Sequence, residues 1–486
     1  IKVRGELQTP WSEGMNWRHL EENGFLKFDF LGLATLKMVE DSIRLILRGQ
    51  GVENPTFDDI NEFFDANLNS RFHKMDDQKV WEYVYHDGRF VQVFQFTNTG
   101  ARNFCVAAKP RSIEDLATIT AIYRPGPLAA NVHRKYVKAG ENIETITYDH
   151  PVLEDLLSES RGFVVFQEQF MLIAQKLCGF DKGASDKMRK TLVKKSLDMN
   201  DKKAKERADL REKFIGGAVS LSGMAEDKAT KLYETIEAFS AYGFNKSHAV
   251  AYAVDSYYSA WLHTYYEKEW LATCLQTWNG SPKFAKIIAE IKSLGYKILQ
   301  PDINASSDVW VYSEERQGFV PPLTAIKGVG DSAVAEIMQN RPYVSLDDIL
   351  FTDDGRWKPS KLNKTAFDSL CKVEAFSSIS EISQGEIQNH RQLHDIVVGN
   401  YDQLKKGRYG MTKTAHKKLL KTQGSVEEFI PKLIIDNYGS SDWSRTLKIG
   451  FSVDLMSGAD ETLVFPPAIM DKIKKSELKP ITELSG

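Results

Sequence analysis

The stretch Lys27-Phe28-Asp29-Phe30-Leu31-Gly32-Leu33 decides how the rest of the chain is read. Polar and apolar residues alternate from Lys27 to Phe30. That predicts a β-strand with Phe28 and Phe30 on one face and Lys27 and Asp29 on the other. Gly32 lets the backbone turn, and Leu33-Ala34-Thr35-Leu36-Lys37-Met38-Val39 opens a helical pattern that runs to about Arg48. A carboxylate beside a lysine near a strand end suits a hard metal ion close to a phosphate. Mg²⁺ takes one or two protein carboxylates and leaves its other positions to water and substrate. The lysine is a point charge for a polyphosphate. The plainer reading is a strand with an exposed Asp–Lys pair, and this stretch alone favours it.

The 486 residues exceed one compact domain, so two to four are expected. Hydrophobic content of 42% and charged content of 27% describe an ordinary globular chain. No apolar run is long enough to cross a bilayer, and no secretory signal is present, so no membrane partner is expected. Cys105, Cys178, Cys274 and Cys371 are scattered without metal-ligand spacing and read as reduced, buried thiols. A net charge of −3 argues against a generic basic DNA binder. Local patches differ: residues 182–213 are dense in Lys and Arg, including Arg189, Lys190, Lys194 and Lys195, and residues 405–421 form a second basic stretch. Local charge of this kind is the footprint of nucleic-acid binding, although a solvated helix face is the common alternative.

Punctuation along the chain gives the other elements. Residues 1–24 read as irregular, 57–65 and 76–85 as short helices, and 89–96 as a strand. Residues 110–123 form a helix with Ser112 as N-cap and Glu114 and Asp115 in its first turn, stopped by Pro125-Gly126-Pro127. A short strand at 162–166 leads into a helix at 168–177 ended by Gly179. Helices follow at 184–195 and 225–239, then one from Ser247 as N-cap through Leu262. A helix at 282–294, a hairpin at 309–320 and a helix–Gly-Val-Gly–helix outline at 323–338 complete the readable part.

Several stretches in order resemble the bacterial replicative DNA polymerase III alpha subunits, the C-family polymerases. They are Lys-Phe-Asp-Phe-Leu-Gly-Leu-Ala-Thr-Leu at 27–36, Tyr-Arg-Pro-Gly-Pro-Leu at 123–128, Phe-Gln-Glu-Gln at 166–169, Tyr-Gly-Phe-Asn-Lys-Ser-His at 242–248, Pro-Asp-Ile-Asn at 301–304 and Ile-Lys-Gly-Val-Gly at 326–330. Together they cover roughly residues 20–380. The resemblance implies a mixed α/β, mainly helical protein. Its parts would be the C-terminal part of a palm (1–48), fingers (49–305), a hairpin and helix-hairpin-helix region (306–385) and a divergent tail (386–486).

In that family three palm aspartates hold two Mg²⁺ ions, and Asp29 stands at the last of these positions. No Asp-x-Asp motif precedes Asp29 here, so this chain supplies one ligand where two metals need several. Lys27 matches the lysine that reaches the incoming triphosphate. The chain starts at Ile1, and the resemblance implies a C-terminal fragment, from an intein-split or viral gene, that polymerises only with an N-terminal palm and thumb partner.

The resemblance implies further site residues. Arg189 and Lys190 would face the triphosphate, with Lys190 replacing an arginine of the family and losing one bidentate fork. Asn245, Lys246, Ser247 and His248 would form an anion site at a helix start. Tyr242, Gly243 and Phe244 would line the nascent base-pair pocket. Arg124, Gln167, Lys194, Lys195 and the loop Lys327, Gly328 and Gly330 would contact DNA, the loop through backbone amides. Phe166 replaces a family tyrosine, so a role through that hydroxyl is not carried over. The implied partners are primer-template DNA, a dNTP, the N-terminal fragment, a sliding clamp and other replisome proteins, in the cytoplasm, either at the nucleoid or in a viral host. The competing reading is a catalytically inactive DNA-binding remnant.

Overall fold

The computed structural model describes residues 2–3, 6–7, 32–193, 201–240, 243–407, 414, 417–418, 421 and 438–456. The protein is mainly helical, and its sheets among the described residues are two antiparallel strand pairs. Lys2–Val3 pairs with Glu6–Leu7 inside a stretch expected to be irregular. The strand predicted at 25–31, with Lys27 and Asp29, lies outside the described residues.

Helix α1 (Ala34–Gly49) buries Met38, Val39, Ile43, Ile46 and Leu47, one stripe at helical spacing. Its other face carries Lys37 bonded to Asp41 and Arg44 bonded to Glu40. Helix α2 (Ile113–Ile122) starts as its sequence dictates: Ser112 Oγ accepts the Asp115 amide at 3.2 Å, with Glu114 and Asp115 in the first turn. Leu116, Ala117, Ile119, Ala121 and Ile122 are all buried in α2. They share a core with Ala249, Ala253, Tyr257 and Ala260 of the long helix Lys246–Tyr265, whose alanines let the two backbones approach closely. The Pro-Gly-Pro expected to end the helix does more than that. Pro125 opens a short helix of its own, Pro125–Ala129, with its fixed φ at the first helical position.

The site-bearing helices are α3 (Gln167–Cys178), α4 (Lys182–Val193), α5 (Asp201–Ser222), α6 (Glu226–Ser240) and α7 (Lys246–Tyr265), followed by α8 (Glu267–Trp278). A hairpin β1 (Val311–Ser313) and β2 (Gly318–Val320) comes next. Helices α9 (Asp331–Asn340), α10 (Lys364–Lys372), α11 (His390–Val397) and α12 (Arg445–Met456) follow it. Apolar residues gather in four clusters. One joins residues 80–136 to Val165, Phe166 and α7; a second gathers 153–236. A third joins α1 to residues 258–319, and a fourth runs from Ile303 to Leu404 with Tyr438, Trp443, Leu455 and Met456 packed on it. Packing therefore crosses residues 48, 305 and 385 without a break. Met38 and Ile43 share a core with Trp270, and Leu393 and Ile396 share one with Phe367.

Three local expectations are corrected. Residues 89–96 alternate like a strand, yet the segment is a run of turns: Gln92 and Gln95 take positive φ, and Phe90, Val93 and Phe96 all point into the core. Residues 162–166 contribute a single bridge rather than a strand. The N-cap of α7 is Asn245, not Ser247, because Asn245 Oδ1 accepts the His248 amide at 2.9 Å.

Candidate nucleotide and nucleic-acid interface

Two motifs far apart in sequence meet at one joint. Phe166 and Phe244 form a parallel bridge: the Phe244 amide donates to Val165 O (3.1 Å) and the Gln167 amide donates to Phe244 O (2.9 Å). Gln167 adds a side-chain bond from Nε2 to Gly243 O at 2.8 Å. Gly243 fits closely here: a Cβ would stand 3.2 Å from the Phe170 ring and 3.3 Å from Gln167 Cγ, so either side chain would have to give way. Beneath the joint lies Gln169, 2% exposed. Its Oε1 accepts the amides of Val165 (2.9 Å) and Phe166 (3.0 Å), and its Nε2 donates to Ser160 Oγ (2.8 Å) and Leu156 O (3.2 Å). Every hydrogen-bonding position of this buried amide is directed at the joint or its support.

The joint aims the start of α7 outward. Asn245 caps it and also accepts from Ser247 Oγ at 2.6 Å. Glu168 Oε2 takes the Lys246 amide at 2.9 Å, and Lys246 Nζ reaches Glu159 Oε2 at 2.6 Å. Arg124 stands over the Phe244 ring, its guanidinium carbon 3.4 Å from the ring centroid. Burial against the ring pulls its pKa below the ordinary value, though a guanidinium stays charged. Phe244 meets the His248 ring edge-on at 5.3 Å, His248 meets Tyr252 at 4.1 Å, and Tyr252 meets Phe94 at 5.1 Å. An aromatic row therefore runs from the joint along α7.

Helix α4 brings the second cation group. Arg189 Nε and an amino nitrogen donate to Asp186 Oδ1 (3.0 and 2.8 Å), and Lys190 Nζ pairs with Asp186 Oδ2 at 2.8 Å. These two partners, Lys190 first, hold the Asp186 carboxyl below its usual pKa range. A further Arg189 nitrogen stands 3.4 Å from Gln167 Oε1, which links α4 to the joint. The structure thus brings together Arg124, Gln167, Arg189, Gly243, Phe244, Asn245, Lys246 and His248, with Lys190 beside them on α4. Lys27, Asp29, Lys194, Lys195 and Tyr242 lie outside the described residues. Among the described residues no group of His, Cys, Asp or Glu has the geometry of a metal site.

Four contributors went unassigned from sequence: Glu159, Glu168, Asp186 and Gln169. Glu168 and Gln169 sit inside a quoted motif, which was a usable signal. Glu159 carries none, because only the fold brings it to Lys246, 87 positions away.

The expected phosphate loop stands apart, on the fourth cluster. Gly328 takes φ +95°, and a Cβ there would meet Ser369 Oγ at 2.7 Å. Lys327 is exposed on its side-chain face, but its amide donates to Leu455 O of α12 (2.9 Å), and its carbonyl accepts Ser369 Oγ (2.8 Å). The helix before the loop is a single 3₁₀ turn, Leu323–Ala325, shorter than predicted. Gly330 caps α9 without a side-chain bond.

Residues 53–221 match the family described as the bacterial DNA polymerase III alpha subunit finger domain, and residues 295–385 match the helix-hairpin-helix motif. Among individual relatives, the DNA polymerase III subunit alpha of Aquifex aeolicus is 37% identical over 372 residues, 76% of this chain and 30% of the relative. That of Halalkalibacterium halodurans is 32% identical over 381 residues (78% and 31%), and that of Chlamydia muridarum 34% over 366 residues (74% and 27%). This chain is a relative of the DNA polymerase III alpha subunits and carries their finger domain and a helix-hairpin-helix region. It spans about 30% of the length of the curated relatives it matches.

Proposed function

We propose that the chain provides the fingers of a DNA-directed DNA polymerase, which bind an incoming dNTP and the primer-template. Arg189, Lys190 and Lys246 neutralise the triphosphate, and the start of α7 adds its amide dipoles. Tyr242 and Phe244 supply flat faces for the nascent base pair, Gly243 lets the backbone come close, His248 joins Asn245, Lys246 and Ser247 at the helix start, and Arg124 stacks on Phe244. Phosphoryl transfer rests on such positioning and charge neutralisation rather than on covalent chemistry by the protein.

Bound Mg²⁺ would supply the Lewis-acid activation of the primer 3′-hydroxyl and the charge that a leaving pyrophosphate needs. Asp29 is the candidate ligand among these residues, with Lys27 two positions before it in sequence, and the remaining acids and a thumb would complete the enzyme. Lys194, Lys195 and the loop Lys327, Gly328 and Gly330 contact the DNA backbone. A sliding clamp and other replisome proteins are the further partners, in the cytoplasm.

The observation that carries this reading is the Phe166–Phe244 bridge, which joins the motifs at 166–169 and 242–248, with Arg124 of a third motif over the Phe244 ring. The test is titration of a fluorescent dNTP analogue against the chain, with primer extension in the presence of a palm-and-thumb fragment. Lys246→Ala is expected to weaken dNTP binding about tenfold and to raise the KM for dNTP in the reconstituted enzyme. Unchanged binding, KM and kcat would overturn the assignment. The chain without that fragment is expected to incorporate no nucleotide.

A further inference from the structure

A second cleft lies away from the joint, between the loop at 69–77 and the start of α2, with a volume of about 570 Å³. That is within the range that holds one small ligand or nucleotide. Its walls include Arg71, Phe72, His73 and Lys74 from the loop, Arg111 before α2, and Val254 of α7.

Phe72 leaves 67% of its surface exposed. The loop that carries it is tied down: the amides of Phe72 and His73 both donate to Asn69 O (2.9 and 3.0 Å). The Arg71 amide donates to Asn69 Oδ1 (3.0 Å), and His73 Nε2 bonds to Asp65 O (2.8 Å). The ring is therefore presented to solvent on a fixed turn. Around it stand three cations. Among the described residues, the side chains of Arg71, Lys74 and Arg111 make no ion pair. Other arginines nearby in sequence are committed: Arg44 to Glu40, Arg102 to Glu290 and Arg161 to Asp115. Asp76 and Glu114 are the acidic members of the wall, so cations outnumber carboxylates three to two before His73 is counted.

A flat apolar ring flanked by uncommitted cations fits a base and its neighbouring phosphates. Base–aromatic stacking tolerates any sequence, because each base has a π-face. A wholly apolar partner would leave the cations unpaired, and a bare anion would leave the ring unused. We propose that this cleft binds single-stranded DNA, with a base stacked on Phe72 and the flanking phosphates paired with Arg71, Lys74 and Arg111. The choice of DNA rests on the polymerase reading above.

The test uses the full chain and a fluorescein-labelled twelve-residue oligo(dT), read by anisotropy across a salt series. Phe72→Ala is expected to weaken binding roughly 5- to 150-fold, and Phe72→Tyr to keep it. The combined Arg71→Ala, Lys74→Ala and Arg111→Ala variant is expected to lower the salt slope by about 2. Thermal unfolding by circular dichroism should not move, since the replaced groups are exposed. Affinity within twofold of the wild type for Phe72→Ala would overturn the proposal, and so would an equal loss for a twelve-base-pair duplex. Fluorescent-dNTP binding is measured on the same variants and is expected to stay at the wild-type value. A loss there without a loss of oligo(dT) binding would also overturn the proposal. Lys246→Ala tests the nucleotide site by itself, so the two readings fail separately.

Discussion

Replacing Gln169 by leucine tests whether the joint between Phe166 and Phe244 is held from beneath. The substitution keeps the approximate volume and removes the oxygen that accepts two buried amides, those of Val165 and Phe166. Val165 and Phe166 are 7% and 1% exposed, so water does not readily replace the lost acceptor. Each orphaned amide costs about 1–3 kcal/mol, or about 2–6 kcal/mol for the pair. At the middle of that range, about 4 kcal/mol, leucine burial recovers about 1.5 kcal/mol, leaving about 2–3 kcal/mol. At about 1.4 kcal/mol per factor of ten, local opening becomes roughly 30- to 150-fold more frequent. Hydrogen exchange resolved by residue is the suitable assay, because a chain with several cores does not unfold in one step. The amides of Val165 and Phe166 should lose protection first. Those of Gln167 and Phe244, which close the bridge, should follow, while the amides of α2 stay protected. Wild-type exchange at Val165 and Phe166 would refute the reasoning, since it would mean that these amides do not depend on Gln169.

Three further outcomes follow from the same geometry. Asp186→Asn removes the carboxylate that competes with a triphosphate for Arg189 and Lys190; fluorescent-dNTP affinity should rise about 2- to 5-fold, the scale of an exposed charge contact. His263 is fully buried, and its Nε2 stands 3.8 Å from Glu267 Oε1, too far for a hydrogen bond; burial drives its pKa down to about 3. Because the unfolded chain protonates this imidazole near pH 6.5 and the folded one does not, stability should fall as pH drops from about 6.5 toward 3, and His263→Leu should flatten that fall in chemical denaturation. Gly328→Ala should lower the melting temperature and weaken duplex binding, because it meets a φ of +95° and Ser369, whereas Gly330→Ala, with open space around it, should leave the melting temperature unchanged.

Much of the helical body was legible because its signals are local. Ser112 with Glu114 and Asp115 announces α2, and Gly179 at φ +69° ends α3, where a glycine is the ordinary choice. The segment 89–96 misled because its apolar residues alternate as in a strand, while two glutamines at positive φ turn it back into the core. Asn245 and Ser247 are both competent caps two positions apart, and only the fold decides between them, since the bridge at Phe244 fixes where α7 can begin. The order of motifs pointed to Arg124, Arg189 and Lys246, but their carboxylate and aromatic partners are tertiary. Asp186 lies one helical turn from Arg189, and Phe244 comes under Arg124 only through folding. The tail was read as a separate region, yet α11 and α12 close the fourth core, through contacts at Leu393, Trp443 and Leu455 that no local pattern advertises.

The bridge at Phe166 and Phe244 also has a topological meaning. The chain departs at Gln167 and returns at Phe244, two points held one strand spacing apart, roughly 4.8 Å. Everything between is a cassette, rooted on Leu153, Leu157 and Val164 through its own apolar interior. A change of length in the loops of such a cassette, away from Gln169 on α3 and from Arg189 and Lys190 on α4, leaves its two ends where they were, so the aromatic row on α7 keeps its register with Arg124.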